Sequence, residues 1–91
     1  MFIATAGSTS VGNMLFYSLG VKARKVTEGC VLGYDIRGIR LKEDKNKQAP
    51  VSVWEVSDED AKIYDKLNED QQLLKRNAYI NGVKALVYFA R

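Results

Sequence analysis

The stretch Pro50-Val51-Ser52-Val53-Trp54-Glu55-Val56 decides the fold, because its residues favour a β-strand that is buried on both faces. β-Branched and aromatic side chains dominate it, which is typical of an interior strand. Proline has no N–H to give to a neighbouring strand, so Pro50 suits the first strand position. We expect Trp54 to lie in the core and the charged Glu55 to pair with an arginine or a lysine.

A helix is predicted directly after this strand. The run Ser57-Asp58-Glu59-Asp60 resembles a capping box, and its three acidic side chains favour the positive end of a helix dipole. Ala61, Tyr64 and Leu67 then follow at helical spacing and are expected to line one face. The helix is expected to end near residues 68–70.

The N-terminal segment predicts another strand followed by a helix. Residues 1–6 are mostly apolar and favour a strand, and Gly7-Ser8-Thr9-Ser10 favours a turn, with Ser10 as the helix N-cap. Apolar residues at helical spacing from Val11 to Leu19 indicate a short helix. Gly20 is expected to end it.

The C-terminal segment predicts a β-hairpin. Asn81-Gly82 separates two β-rich runs, residues 73–80 and 83–90. This dipeptide favours a type I′ turn, because both of its residues tolerate positive φ.

The middle of the chain predicts a bent strand and a loop. Residues 21–32 are expected to be extended, and clear alternation begins at Tyr34. The alternation slips at Arg37-Gly38 and resumes at Ile39, which predicts a β-bulge. Lys42–Ala49 is polar and highly charged, which predicts a mobile surface loop.

These elements together predict an α+β fold over one domain, residues 1–91. The sheet is expected to be small, curved and mainly antiparallel, or closed into a barrel, with two short helices. A chain of 91 residues with 46% hydrophobic residues can bury a modest core.

The composition excludes several kinds of chemistry. The sequence contains no histidine, which removes Ser-His and Cys-His nucleophile pairs and most zinc sites. Acid–base chemistry would therefore fall to Asp, Glu, Lys, Tyr or Cys. No metal ion or cofactor is implied.

Cysteine and tyrosine residues are expected to have packing roles. The single cysteine, Cys30, rules out a disulfide within this sequence and lies in an apolar stretch, so it is expected to be a small buried residue. For each of the five tyrosines, core packing is favoured: these are Tyr17, Tyr34, Tyr64, Tyr79 and Tyr88.

The length of the apolar runs and the charge suggest the setting of the protein. No apolar run approaches a membrane span, and the first six residues lack the features of a signal peptide, so we expect a cytoplasmic protein. The net charge of +3 permits an anionic partner. The basic residues are scattered without interleaved aromatic residues, so we expect a solvated basic face and no nucleic-acid binding.

The order of these motifs resembles that of the gamma-glutamylcyclotransferase-like family over about residues 1–90. The resemblance implies a compact β-barrel with flanking helices. The family's glycine loop reads Tyr-Gly-Ser-Asn, and the corresponding residues here are Ala6-Gly7-Ser8-Thr9. In the family this loop binds the α-carboxylate end of a γ-glutamyl group, which implies that Gly7, Ser8 and Thr9 contact the ligand.

The resemblance also implies a proton acceptor and further pocket residues. The family's glutamate accepts the proton of the substrate amine, which attacks the γ-carbonyl and releases 5-oxoproline. Aligning the family motif places Asn68 at that glutamate, and an amide cannot take the proton. Glu69 lies one residue further on. Tyr34 and Tyr88 match positions that carry tyrosine in the family and could line the pocket.

Three interpretations of function follow. The first is a catalytically degenerate protein that binds a small anion, a γ-glutamyl compound or a phosphate-bearing molecule, between Gly7–Thr9 and Asn68-Glu69. The second is an active cyclotransferase with Glu69 as the base. The third is a protein-interaction module or homodimer, in which the apolar strand Val87-Tyr88-Phe89 lies at a sheet edge and pairs with another chain.

Overall fold

Seven helices and strands follow one another in the computed structural model, which describes residues 1–38 and 40–91. They are β1 (Phe2–Ala6), α1 (Thr9–Leu19), β2 (Ala23–Arg37), β3 (Arg40–Val56), α2 (Asp58–Asp70), β4 (Leu74–Ile80) and β5 (Val83–Phe89).

The five strands form one mixed sheet in the order β2-β3-β1-β5-β4. Three of the neighbouring pairs are antiparallel, whereas β1 runs parallel to β5. The α+β prediction with a mainly antiparallel sheet is therefore confirmed. The sheet is strongly curled, since Leu41 of β3 also pairs with Phe89 of β5, and Asn81 donates a hydrogen bond to Thr27 of β2 at 2.8 Å.

The curled sheet separates two apolar clusters. One cluster, which includes Val53 and Val87, packs strand side chains against one another. The other lies beneath the helices and contains Trp54, Phe16 of α1 and Tyr64 of α2. Alternation along β3 sends Val53 into the first cluster and Trp54 into the second, so the 51–56 stretch is buried on both faces as predicted.

The helix boundaries agree with the local signals, with one correction. Ser57 is the N-cap of α2, and its hydroxyl accepts a hydrogen bond from the Asp60 N–H. Gly20 ends α1 in the left-handed conformation, as predicted. The N-cap of α1 is Ser8 and not Ser10, because the Ser8 hydroxyl accepts the hydrogen bond from the Val11 N–H.

The predicted C-terminal hairpin is confirmed. Ile80 pairs with Val83, so Asn81 and Gly82 form the two-residue turn. Both turn residues have positive φ, 49° and 83°, as a type I′ turn requires.

The prediction of a mobile loop at Lys42–Ala49 is wrong, because these residues belong to β3. Residues 42–43 and 48–49 pair with β2, whereas residues 44–47 belong to β3 at the register shift opposite Leu32 and Tyr34. A ribbon exposed to solvent accommodates charged side chains without a core. Pro50 therefore lies inside β3 and not at its start. It is tolerated because β1 pairs with β3 only from Val51 onward.

The bulge predicted at Arg37-Gly38 is also corrected. Arg37 pairs with Arg40, so the chain reverses direction between these residues, and Ile39 lies outside the described residues. The register shifts of this ribbon fall instead between Lys25 and Thr27 and between Leu32 and Tyr34.

Several packing expectations are revised. Cys30, Tyr17 and Tyr79 are exposed, so these residues are not part of the core. β5 lies between β1 and β4, so Val87-Tyr88-Phe89 is not an edge segment. The pairing expected of Glu55 is confirmed, because its carboxylate accepts a hydrogen bond from Arg24 at 2.6 Å. Neither described helix has the length and apolar character needed to cross a membrane.

Candidate functional site

The Gly7–Thr9 loop connects the half-buried end of β1 to α1. Gly7 has a φ of 99°, a conformation that favours glycine, and its N–H donates to the Pro50 carbonyl at 2.9 Å. Ser8 then caps the helix. The loop therefore turns sharply from the sheet surface into the first helical turn.

α1 is held against the sheet by one close contact. A Cβ placed on Gly12 would lie 2.7 Å from Cζ2 of Trp54, so only glycine lets the helix backbone approach the indole ring this closely. The Trp54 Nε1–H donates to the Thr5 hydroxyl at 3.1 Å, which fixes the ring on β1. The Gly7–Thr9 loop is therefore positioned by the end of β1 on one side and by the packing of α1 against Trp54 on the other.

The loop offers hydrogen-bond donors next to a negative charge. Among the described residues, the N–H groups of Thr9 and Ser10 at the positive end of α1 form no backbone hydrogen bond outside the helix. The Thr9 hydroxyl donates to Glu28 at 3.4 Å. Lys25 holds the pKa of the Glu28 carboxyl below its ordinary value, so Glu28 is ionised at neutral pH and opposes an anion at this position.

Asn68 and Glu69 lie in the last turn of α2 in contrasting environments. The Asn68 side chain is buried, and its Nδ2 donates to the Tyr64 carbonyl at 2.8 Å. Glu69 is exposed to solvent. The buried position thus carries an amide that is hydrogen-bonded within the helix, and the carboxylate next to it points away from the core.

Tyr88 takes part in a small polar network. Asp65 accepts hydrogen bonds from the Tyr88 hydroxyl and from the Lys75 ammonium, each at 2.9 Å. Lys75 holds the pKa of the Asp65 carboxyl below its ordinary value, and burial raises the pKa of the Tyr88 hydroxyl. These groups line a cavity of about 170 Å³ beside α2. The network ties α2 to β4 and β5.

Tyr34 lies in a different environment from Tyr88. Its ring packs against Phe89 with the centroids 4.6 Å apart, and its hydroxyl accepts a hydrogen bond from Arg76. The Arg76 guanidinium also lies 4.3 Å from the Phe89 ring centroid. Tyr34, Arg76 and Phe89 line a cavity of about 300 Å³.

A second cavity adjoins this one through Ala90 and Arg91. It measures about 490 Å³, and we call it the basic cleft; the side chains that line it besides Ala90 are those of Arg37, Arg40, Lys42 and Arg91. The Ala90 N–H donates to the Leu41 carbonyl at 2.7 Å, which brings the C-terminal segment beside β3. Two carboxylates lie nearby: Asp35 is 3.4 Å from Arg37, and Glu43 lines the adjoining cavity of about 300 Å³.

The structure gathers the predicted site residues only in part. Gly7, Ser8 and Thr9 share one loop, and Ala6 ends the strand before it. Tyr34 and Tyr88 line separate cavities. In the described part of the chain, five of the best-defined surface cavities are lined neither by the Gly7–Thr9 loop nor by Asn68-Glu69.

Sequence reasoning missed the basic cleft. Arg40 and Lys42 are two positions apart, which places them on one face of a strand, but the segment was interpreted as entering a loop. The approach of Arg91 depends on the pairing of β3 with β5, for which the sequence carries no local signal.

Comparison with known proteins supports the fold. The chain is similar in structure to the uncharacterized protein PH0828 from Pyrococcus horikoshii, with a TM-score of 0.74, covering 98% of this chain and 76% of that chain. The two sequences are 20% identical, so the similarity concerns the fold alone. No protein-family model and no curated protein matches the chain.

Proposed function

We propose that this protein is a non-catalytic binding protein on a scaffold that resembles the gamma-glutamylcyclotransferase-like family, and that its ligand is a small phosphate-bearing anion. The proposal that the protein is non-catalytic rests on the environment of Asn68. The motif alignment places it at the expected proton acceptor, and its side chain is 4% exposed and donates to the Tyr64 carbonyl. An amide cannot accept the amine proton that the cyclotransferase reaction requires.

Glu69 is a poor substitute for that base. It is exposed on the last turn of α2, where water solvates its carboxylate. Reaching the position of Asn68 would require the last helical turn to shift by one residue, which would break the hydrogen bond from the Leu73 N–H to the Asn68 carbonyl.

The charge distribution supports an anionic ligand at the basic cleft. Five cationic side chains and two carboxylates lie at the two adjoining cavities, a surplus of three positive charges that equals the net charge of the whole chain. Arginine side chains bind phosphate groups through paired N–H donors. Cations gathered from separate strands repel one another unless an anion lies between them.

The dimensions favour a small molecule over a nucleic acid. The cavities measure about 490 and 300 Å³, which is within the usual range for small-molecule sites. The aromatic rings at this site, Tyr34 and Phe89, already pack against each other and against Arg76. They are therefore not free to stack with successive bases.

The Gly7–Thr9 loop is the competing location for the anion. It has free N–H groups at a helix N-terminus, but the Glu28 carboxylate lies beside it. We favour the basic cleft because the four charged side chains that line it are all cations.

We expect the protein to release no 5-oxoproline from a panel of γ-glutamyl amino acids and amines. Product would be measured by chromatography after long incubation, with the Glu69→Gln variant alongside. Turnover that is lost in Glu69→Gln would establish an active enzyme with a displaced base and would refute the non-catalytic proposal.

We expect tripolyphosphate to bind the wild-type protein and the Arg40→Gln/Lys42→Gln variant to bind it at least tenfold more weakly, a loss of about 1.4 kcal/mol. Each charged hydrogen bond to phosphate contributes about 1.5–3 kcal/mol, so removing two cations should exceed this threshold. Binding would be measured by isothermal titration calorimetry at fixed ionic strength.

Two control variants locate the anion. Lys45→Gln/Lys47→Gln makes the same charge change on exposed positions of β3 that do not line the cleft, and should retain binding. Ser10→Glu places a negative charge at the loop, where an acidic residue suits the start of α1. Loss of binding only in Ser10→Glu would move the ligand to the loop. Absence of tripolyphosphate binding, or tight binding of a single-stranded oligonucleotide that strengthens with its length, would overturn the small-anion proposal.

A further inference from the structure

We propose that Asn81 is a site of spontaneous deamidation and that its hydrogen bond to Thr27 controls the rate. This modification is independent of the anion site proposed above. Asn81 and Gly82 form the exposed two-residue turn between β4 and β5. Asparagine is among the chemically labile residues, because the backbone nitrogen of the following residue can attack its side-chain amide. The turn therefore contains both reacting groups in adjacent residues.

The reaction needs only the turn and water. The backbone nitrogen of Gly82 loses its proton to the solvent and forms a bond to Cγ of Asn81. The bond from Cγ to Nδ2 breaks, ammonia leaves, and a five-membered succinimide ring remains. Water then adds to either ring carbonyl and opens the ring, which gives aspartate or isoaspartate. In isoaspartate the main chain runs through the side-chain carboxyl group, so the turn is one carbon longer.

Glycine at position 82 makes Asn81 the most reactive asparagine of the chain. A Cβ added to Gly82 would meet no heavy atom of the described residues within 4 Å, so the space around this residue is open. Without a side chain, glycine neither shields its nitrogen nor restricts its backbone. The other four asparagines are followed by residues with side chains, which are Met14, Lys47, Glu69 and Ala78. Asn13, Asn46 and Asn77 are exposed too, so exposure alone does not distinguish Asn81.

The hydrogen bond to Thr27 restrains the Asn81 side chain. Nδ2 of Asn81 donates to the Thr27 hydroxyl at 2.8 Å, which ties the amide to β2. Ring closure requires Cγ to rotate towards the Gly82 nitrogen, and we expect this rotation to break the hydrogen bond. Removing the bond should therefore raise the rate about 2- to 12-fold, which corresponds to the 0.5–1.5 kcal/mol that a neutral hydrogen bond contributes.

The conformation of the turn also slows the reaction. Ile80 pairs with Val83, and the two residues between them have φ values of 49° and 83°. The backbone has to leave this conformation for the five-membered ring to form, and the pairing of β4 with β5 opposes that movement. The folded protein should therefore deamidate more slowly at Asn81 than the same chain unfolded in urea.

Deamidation alters the contact that closes the curled sheet. Besides the Asn81–Thr27 hydrogen bond, Ile80 packs closely on β2, since a Cβ added to Gly29 would lie 2.9 Å from Cγ2 of Ile80. An isoaspartate lengthens the main chain directly after Ile80. The new carboxylate adds one negative charge to a net charge of +3 and leaves +2. The modification therefore affects both the closure of the sheet and the charge of the protein.

Prolonged incubation of the folded protein at neutral pH, followed by peptide mass spectrometry, tests the proposal. The wild-type protein should show the mass of deamidation at Asn81 before any other asparagine, with separately eluting aspartate and isoaspartate peptides. Thr27→Val should deamidate about 2- to 12-fold faster. Thr27→Ser is the matched control, because it keeps the hydroxyl and should stay close to the wild-type rate. Circular dichroism establishes that each variant is folded.

Incubation in urea separates the restraint from the intrinsic chemistry. In urea all variants should deamidate at the same rate, which should exceed the rate of the folded wild-type protein. Thr27→Ala removes the same hydroxyl with a smaller side chain, and it replaces Thr27→Val if that variant does not fold. Equal rates in the folded wild-type protein and in the variant without the hydroxyl would overturn the proposal. Earlier deamidation at another asparagine, or none at Asn81, would do the same.

Discussion

Replacing Trp54 with alanine is expected to lower the free energy of unfolding by about 3–5 kcal/mol. The indole ring is 2% exposed and meets the Phe16 ring edge-on, with the centroids 5.4 Å apart. The substitution leaves a cavity between the sheet and α1, and it removes the donor that satisfies the Thr5 hydroxyl. This loss is a large fraction of the 5–15 kcal/mol by which small domains are stable. Urea unfolding followed by far-ultraviolet circular dichroism measures it.

A second variant separates packing from the hydrogen bond. Trp54→Phe keeps much of the ring volume but removes the Nε1–H, so it should cost less than the alanine variant. A loss below about 1 kcal/mol for Trp54→Ala would contradict the assignment of this residue to the centre of the helix–sheet cluster.

Replacing Gly12 with valine is expected to lower the free energy of unfolding by about 1–3 kcal/mol. Every added side-chain atom must fit where the Trp54 ring already lies, since even a Cβ would approach Cζ2 to 2.7 Å. The ring cannot retreat, because it is held by Thr5 on one side and by Phe16 on the other. α1 must therefore move away from the sheet and carry the Gly7–Thr9 loop with it. Chemical denaturation measures the change in stability.

Asn13→Val is the matched control for this experiment. Asn13 is the next residue of the same helix, is exposed, and accepts a β-branched residue with only a small change in helix propensity. If both variants are equally stable, the close approach of α1 to Trp54 does not determine the position of the helix.

Local signals predicted the elements whose geometry is decided within a few residues. Ser57 caps α2 because its hydroxyl reaches the N–H three residues later, and Asn81-Gly82 turns the chain because both residues accept positive φ. The N-cap of α1 was misplaced by two residues, because Ser8 and Ser10 are equally suitable caps in isolation. The pairing of Gly7 with Pro50 fixes where β1 ends, and hence where α1 begins.

The high charge of residues 42–49 led to a wrong prediction, because strand pairing determines their structure. The lack of apolar residues before Ala49 predicts a loop for Lys42–Ala49, yet this run belongs to β3 and pairs with β2 at both of its ends. These pairs join the consecutive strands β2 and β3 through backbone groups, which every residue except proline supplies in full, so the side chains of the run do not reveal them.

The sequence alone determined the α+β class, the two helices, the C-terminal hairpin and the interior position of Val51–Val56, because these depend on neighbouring residues and on the alternation of apolar side chains. Only the tertiary structure decided that β5 lies inside the sheet and that Arg91 lines one cavity with Arg40 and Lys42. It also decided that Met14 and Tyr17 of α1 are exposed to solvent. Each of these features depends on which distant segments pack together. That packing is determined by the mutually supportive contacts of the whole core and not by any single segment.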